Sequence, residues 1–268
     1  MATITGTAAT EILLRTMAAD VIHGMAGDDI IFAFAGDDTL IGGAGADALF
    51  GGEGVDVASY SSASAGVTIN LATGAHTGDA AGDTFHGIEI IQGSNLNDLF
   101  VANAAANRFD GAGGGDTVSY EASSSAVSVN LTTNVVSGGD AQGDTISNFE
   151  KVIGSSHDDT LASGSPGNIL QGGAGDDLYI VSGPVISIVE ADGEGEDAVL
   201  ADVSSASLAA NVEILRYIGA STFTGYGNAL SNIIIGGELS DSLFGLEGND
   251  TLLGGDGNDT LNGGSGSD

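Results

Sequence analysis

The sequence predicts an all-β protein, a parallel β-roll or β-solenoid built from nine-residue repeats with longer β units between them. Three observations carry this prediction. Glycine and aspartate recur with a period of nine residues in tandem copies. An apolar residue, most often aliphatic, lies two positions after the aspartate of the repeat, so carboxylates and apolar side chains keep separate phases. The 268 residues include 45 Gly, 9 Phe and no Trp, which leaves little material for a core of large side chains.

The nine-residue frame is clearest near the N-terminus, where six units run from Gly6 to Ser59 and the second begins at Arg15. Two copies, GGAGADALF at 42–50 and GGEGVDVAS at 51–59, fit G-G-x-G-x-D-x-U-x, in which U is aliphatic. The frame returns in three further runs, and no segment shows helical periodicity. These runs are 93–119, 154–180 and 227–268.

A second, longer repeat separates these runs. The stretch 56–71 is echoed at 116–131, and 80–94 is echoed at 141–155. Self-similarity on two scales favours a solenoid. We predict that the chain has four parts. Because the last unit ends uncapped, we also expect the natural product to continue further. The parts are an N-terminal cap and roll at 1–59, two repeats of about 60 residues at 60–180, a divergent β linking unit at 181–226 and a C-terminal roll at 227–268.

The chain is strongly acidic, with 37 Asp and Glu against 4 Lys and Arg and a net charge of −33. This charge excludes nucleic acid and anionic membrane surfaces as partners. No apolar stretch is long enough for membrane insertion. Cysteine is absent, so thiolate metal sites and disulfides are excluded. Cations are therefore the expected partners.

The G-G-x-G-x-D turn is a predicted calcium site. Glycine adopts backbone angles closed to other residues, so the turn can aim successive carbonyl oxygens inward. Two units make one coil, which stacks each turn on the turn two units away at about 4.8 Å. The stacked carboxylates repel each other unless a divalent cation lies between them. Oxygen ligands on flexible loops suit Ca²⁺ better than Mg²⁺ or Zn²⁺, and the stacked pairs within the runs predict nine ions.

The candidate metal ligands are the carboxylates at the sixth position of the units and the carbonyls of the turn glycines at the fourth position. The carboxylates are Asp20, Asp29, Asp38, Asp47, Asp56, Asp98, Asp116, Asp159, Asp177, Asp197, Asp241, Asp250 and Asp259. The glycines are Gly27, Gly36, Gly45, Gly54, Gly175, Gly248 and Gly257.

Several neighbouring residues receive a second interpretation. The fifth-position residues Asp28, Asp37 and Asp176 are expected to be solvated turn charges. Asp83, Asp144 and Asp197 follow partial turns, and a ligand role stays open for them. Asn107 and Asn168 predict an edge closed by amide hydrogen bonds instead of calcium. Glu11, in a unit without inner glycines, predicts a capping coil with a weak site or none.

No catalytic constellation is visible in the sequence, so we expect no enzyme activity. The four histidines share no metal-ligand spacing, and no G-x-S-x-G elbow occurs. Glu89, Glu150 and Glu213 each precede an apolar strand, which favours a repeated structural role over paired catalytic acids. Tyr60 and Tyr120 occupy equivalent places in the long repeat and are expected to pack between coils.

In its tandem GGxGxD turns the chain resembles the RTX, or haemolysin-type calcium-binding, repeat family of secreted bacterial proteins. The resemblance implies calcium held between stacked turns by the sixth-position aspartates and turn carbonyls, and a roll that folds only with calcium. It also implies export from a Gram-negative cell by type I secretion machinery to the medium or cell surface. The sequence specifies no protein or glycan partner.

Two functions are compatible with this resemblance. The first is a non-catalytic scaffold or an adhesin-type surface region. The alternative is the calcium-dependent accessory or secretion module of an exported protease, lipase or mannuronan epimerase, with its catalytic part outside this chain.

Overall fold

The computed structural model describes residues 3–14 and 17–268, so Arg15, the predicted start of the second unit, lies outside the described residues. The predicted all-β parallel solenoid is confirmed. Within these ranges the helical elements are two 3₁₀ turns, Gly78–Ala80 and Gly139–Ala141. None of the described helical segments has the length and apolarity needed to cross a membrane.

All strands of the described residues are three to six residues long. Those before residue 120 are β1 Thr3–Thr5, β2 Ile12–Leu14, β3 Val21–Ala26, β4 Ile30–Ala35, β5 Thr39–Ala44, β6 Ala48–Glu53, β7 Val57–Ser59, β8 Thr68–Asn70, β9 Thr84–His86, β10 Ile90–Gln92, β11 Leu99–Val101, β12 Arg108–Asp110 and β13 Thr117–Ser119. Those that follow are β14 Ser128–Asn130, β15 Val135–Ser137, β16 Thr145–Ser147, β17 Lys151–Ile153, β18 Thr160–Ser163, β19 Ile169–Gln171, β20 Leu178–Val181, β21 Ser187–Val189, β22 Ala198–Ala201, β23 Ser205–Ser207, β24 Ile214–Tyr217, β25 Thr224–Tyr226, β26 Ile233–Ile235, β27 Ser242–Glu247, β28 Thr251–Leu253 and β29 Thr260–Ser265.

The chain forms two compact units, and the predicted division into four parts stays a prediction. The first unit holds the residues up to Ala122 together with Asp140–Glu150. Its seven-stranded sheet has the order β1-β3-β5-β7-β10-β12-β16. A four-stranded sheet has the order β2-β4-β6-β9, and β11 pairs with both β8 and β13. Alternate strands of the chain thus enter different sheets, as a coiled ribbon requires.

The second unit holds Ser123–Gly139 and Lys151–Asp268. Its eight-stranded sheet has the order β15-β14-β18-β20-β22-β24-β26-β28. A four-stranded sheet has the order β23-β25-β27-β29, and β19 pairs with both β17 and β21. Strand pairing is parallel except for the antiparallel hairpin of β14 and β15.

One coil of the uninterrupted runs is 18 residues long, as the nine-residue frame predicts. Val21 pairs with Thr39 and Ile30 with Ala48. Each of these strands places one aliphatic side chain of the repeat inward, because successive residues of a strand point to opposite faces. The core of the first run is accordingly thin and is made of Ile22, Ile31, Ala33, Leu40, Leu49 and Ala58.

Candidate metal centre

The turn glycines at the fourth position adopt a backbone that only glycine accommodates readily. All seven that the sequence singled out have positive φ, between 101° at Gly27 and 144° at Gly45. A Cβ at Gly45 would overlap the carbonyl oxygen of Gly27, one coil earlier. The turns therefore stack with their backbones in close contact.

The sixth-position carboxylates form hydrogen-bonded columns between coils, and alternate units contribute to different columns, which together we call the carboxylate ladder. The backbone N–H of Asp20 donates to Oδ1 of Asp38 over 2.7 Å, and the N–H of Asp38 donates to Oδ1 of Asp56 over 2.9 Å. The N–H of Asp29 donates in the same way to Asp47 over 2.8 Å. The same bond links further pairs, namely Asp98 to Asp116, Asp159 to Asp177, Asp177 to Asp197, Asn232 to Asp250, Asp241 to Asp259 and Asp250 to Asp268.

The ladder uses one oxygen of each carboxylate and leaves the other buried without a hydrogen-bond partner in eight aspartates of the described part. These orphan Oδ2 atoms belong to Asp29, Asp38, Asp47, Asp56, Asp116, Asp177, Asp197 and Asp250. A buried carboxylate oxygen without a donor is costly, and a cation is the partner that removes this cost.

In six of these eight units a glycine at the first position keeps the space beside the orphan oxygen free, whereas Ala33 and Asp192 stand at that position in the units of Asp38 and Asp197. A Cβ at Gly24 would lie 2.5 Å from Oδ2 of Asp29, and one at Gly111 would lie 2.7 Å from Oδ2 of Asp116. In those six units a side chain at the first position would overlap the orphan oxygen. The donor set is made of hard oxygens, so the arrangement fits Ca²⁺.

Three predicted ligands differ from these eight aspartates, because hydrogen bonds from the protein already satisfy both of their carboxylate oxygens. Oδ2 of Asp98 accepts the N–H of Ser94 over 2.6 Å, and Oδ2 of Asp241 accepts the N–H of Gly237 over 2.6 Å. Asp159 accepts the N–H of Ser155 in the same way. Their Oδ1 atoms accept N–H groups from Val67, Phe223 and Val127, respectively.

The fourth residue of the unit distinguishes the two kinds of turn. All eight aspartates with an orphan oxygen belong to a unit whose fourth residue is glycine. The units of Asp98, Asp159 and Asp241 carry leucine or histidine there, at Leu96, His157 and Leu239. We call the first kind open turns and the second kind closed turns. The sequence contained this signal, although the frame alone treats all sixth-position aspartates alike.

The fifth-position aspartates are not simply solvated charges, because each accepts a backbone N–H from the next coil. Oδ1 of Asp28 accepts from Ala46 and Oδ1 of Asp37 from Val55, both over 2.9 Å. Asp176 likewise accepts from Glu196. They tie successive turns together on the exposed side of the ladder.

Residues outside the nine-residue runs extend the ladder. Glu89, Glu150 and Glu213, predicted as structural strand ends, accept the N–H groups of Asp56, Asp116 and Asp197. Asp83 and Asp144 accept those of Asp47 and Asn107. The register places them there because Thr84 pairs with Ala48 and Ile90 with Val57.

Tyrosine hydroxyls occupy the second oxygens of Asp83 and Asp144. The Tyr60 hydroxyl donates to Oδ2 of Asp83 over 2.7 Å, and that of Tyr120 donates to Oδ2 of Asp144 over 3.2 Å. Both rings are buried between coils. These two members of the ladder therefore have a protein donor where the open turns have an orphan oxygen.

Neutral amides occupy the ladder where asparagine replaces aspartate. The Asn107 side chain donates to Oδ1 of Asn103, and that of Asn168 donates to Oγ of Ser163. Glu11 has both carboxylate oxygens bonded to Thr7. These contacts agree with the amide-closed edge and the capping coil that the sequence predicts.

Burial raises the pKa of seven carboxyls in these turns above the ordinary value of an aspartate, namely those of Asp29, Asp38, Asp47, Asp56, Asp116, Asp177 and Asp197. Desolvation is the largest cause, and charge repulsion from neighbouring carboxylates adds to it. The pKa rises to about 6 at Asp47 and Asp197 and to about 7 at Asp116 and Asp177.

Acid is therefore expected to favour folding of the calcium-free chain. Between the unfolded pKa of about 4 and the raised folded values the folded state binds more protons, so its stability falls as the pH rises through 7. After calcium is removed on a chelating resin, circular dichroism should show more β structure at pH 5 than at pH 8. Calcium affinity should change in the opposite direction, because protons compete for the same oxygens. Equal β content at both pH values would contradict this expectation.

The fold and the turns together define a parallel β-solenoid with stacked carboxylate turns. The sequence profile of the RTX calcium-binding nonapeptide repeat matches residues 17–49, 35–58, 83–118, 153–182 and 235–268. These matches cover more than half of the chain. The chain therefore belongs to the RTX family of calcium-binding repeat proteins. A search among curated proteins finds no match.

Proposed function

We propose that this chain is a secreted, non-catalytic calcium-binding scaffold of the adhesin or cell-surface type, and that its solenoid folds as calcium binds. The observation that carries the proposal is the columns of buried, unpartnered carboxylate oxygens at the open turns. Extracellular calcium modules bind at about 10⁻⁴–10⁻³ M, so such a chain stays calcium-free in a cytosol and fills outside the cell. Export through type I secretion machinery is part of this proposal.

The number of ions follows from which turns stack on each other. Four ladder pairs have a glycine at the fourth position of both units, and these are Asp29–Asp47, Asp38–Asp56, Asp177–Asp197 and Asp250–Asp268. The nine-residue frame alone counts nine pairs. We therefore propose at least four and at most nine calcium ions per chain.

Isothermal titration calorimetry tests this number with a matched pair of variants. The D38N substitution removes the charge of a ladder carboxylate that faces Asp56, and the chain is expected to lose about one ion. The D37N substitution removes the same charge from the adjacent, exposed residue and should leave the number of ions unchanged. A wild-type chain that binds only one or two ions, or equal losses in both variants, would contradict the proposal.

The calcium-dependent module of an exported enzyme remains the alternative function. Reading the gene around this sequence separates the two, since further repeats favour the scaffold and a catalytic motif favours the enzyme module.

A further inference from the structure

One carboxylate that the nine-residue frame does not include lies beside the ladder. Glu190 directly follows β21, and only 8% of its surface is exposed. Its Oε1 accepts the N–H of Gly172 over 3.3 Å, whereas its Oε2 is buried and has no hydrogen-bond partner. No sequence pattern singles it out, because it belongs to no G-G-x-G-x-D turn.

The register explains how Glu190 reaches the ladder. Gln171 pairs with Val189, so the next residues, Gly172 and Glu190, occupy equivalent positions on adjacent coils. Gly172 is the first-position glycine whose missing side chain leaves room beside Oδ2 of Asp177. At the corresponding place in the next coil the chain carries a carboxylate instead of a hydrogen atom. This placement brings a carboxylate oxygen of Glu190 within 4.8 Å of carboxylate oxygens of Asp177 and Asp197.

Glu190 forms a buried cluster with two ladder aspartates. One carboxylate oxygen each from Asp177, Glu190 and Asp197 lies within 4.8 Å of the others. All three residues have an orphan oxygen, and the two aspartates are only 1% exposed. In the described part of the chain this is the one group of three such residues close enough to share an ion.

Three buried carboxylates cannot all remain charged without a counterion. Each of the three has a buried oxygen that no donor satisfies, and charges this close together repel one another strongly away from water. Either a proton or a cation must therefore reside there at neutral pH. A proton would neutralise one of the three charges, whereas Ca²⁺ would neutralise two and would give each orphan oxygen a partner.

We propose that Glu190 completes a calcium site with Asp177 and Asp197 that is distinct from the two-carboxylate sites and fills before them. Calcium affinity rises with the number of charged ligands, and here three carboxylates converge where an ordinary open-turn pair offers two. The site lies within the second unit and would hold its coils together at lower calcium concentrations than the rest of the ladder requires. The inference rests on calcium binding at the open turns.

Calorimetric titration of the full chain tests the proposal. The E190Q substitution keeps the size of the side chain and removes its charge. It should lower the calcium affinity of the tightest class of sites, which holds about one ion per chain, at least tenfold. The remaining ions should bind as in the wild-type chain. The D202N substitution removes one charge from an exposed residue of the same unit and is the matched control. If Glu190 holds a proton, glutamine will replace it without loss, and an unchanged titration overturns the proposal.

A measurement on the unmodified chain covers the case in which E190Q does not fold. Crystals grown in calcium and soaked briefly in dilute Tb³⁺ should exchange first at the site with the most negative charge. The strongest terbium peak in the anomalous difference map is expected to contact Glu190, and a strongest peak elsewhere overturns the proposal. A chain that binds no calcium in either experiment would instead refute the proposed function.

Discussion

Removal of calcium by excess EGTA at pH 7.5 is expected to unfold the chain. Nine buried carboxylate oxygens of the described residues lack a hydrogen-bond partner. At about 1–3 kcal/mol for each orphan, and more when the group is charged, their combined cost is roughly 10–25 kcal/mol. Folded proteins are stable by about 5–15 kcal/mol, so without a cation this cost equals or exceeds what a fold of this size can tolerate. The net charge of −33 adds repulsion in the same direction.

Circular dichroism and small-angle X-ray scattering measure this transition. We expect the β signal to disappear in the chelator and the radius of gyration to approach about 55 Å, the value for an unfolded chain of this length. Millimolar calcium should restore the folded state. Magnesium at the same ionic strength should not, because it demands octahedral geometry and retains its water. The same β spectrum with and without calcium would contradict the mechanism.

The G45A substitution is expected to destabilise the calcium-loaded protein by about 2–6 kcal/mol. The φ of Gly45 is 144°, outside the region that alanine tolerates, and a Cβ there would overlap the carbonyl of Gly27. Backbone strain and overpacking each cost about 1–3 kcal/mol. The stacked turn would have to open, so the neighbouring calcium sites should weaken as well. Urea denaturation in saturating calcium gives the change in the free energy of unfolding.

The G74A substitution provides the matched control in the same compact unit, the first one. Gly74 also has a positive φ, 72°, but a Cβ there would meet no atom within 4 Å. Alanine at this position should cost only about 1 kcal/mol, which is the backbone penalty alone. Equal losses in the two variants would mean that the close stacking of turns contributes nothing to stability.

The nine-residue period was sufficient to predict the solenoid and the register of its uninterrupted runs. A carboxylate and an aliphatic residue at fixed phases determine which side chain faces the core and which faces the turn, so Ile22 and Leu40 are buried where the frame places them. The positions of the turn glycines followed from the same frame. The frame did not predict the positive φ of Met25, Phe34 and Leu246. These residues stand where other units have the second-position glycine, and their units still adopt the turn.

The sequence could not show how the ladder continues across the insertions. Asp83 and Glu89 lie outside the frame, and they align with Asp47 and Asp56 only because the intervening loops return the chain to the parallel sheets. The hydroxyl of Tyr60 at Asp83 depends on the same long-range register. Glu190 was hidden for a related reason, since its role depends on its being paired with Gly172 one coil away. Contacts between coils, unlike the turns themselves, leave no local pattern.

The central claim is that calcium ions bridge stacked open turns through the orphan carboxylate oxygens. The most direct test is an anomalous difference map from crystals grown in millimolar calcium. The account predicts peaks within about 2.3–2.6 Å of the Oδ2 atoms of Asp29 and Asp47, and equally beside the Asp38–Asp56 pair. Clear density for the turns with no ion beside these oxygens, or aspartates rotated into solvent, would contradict it.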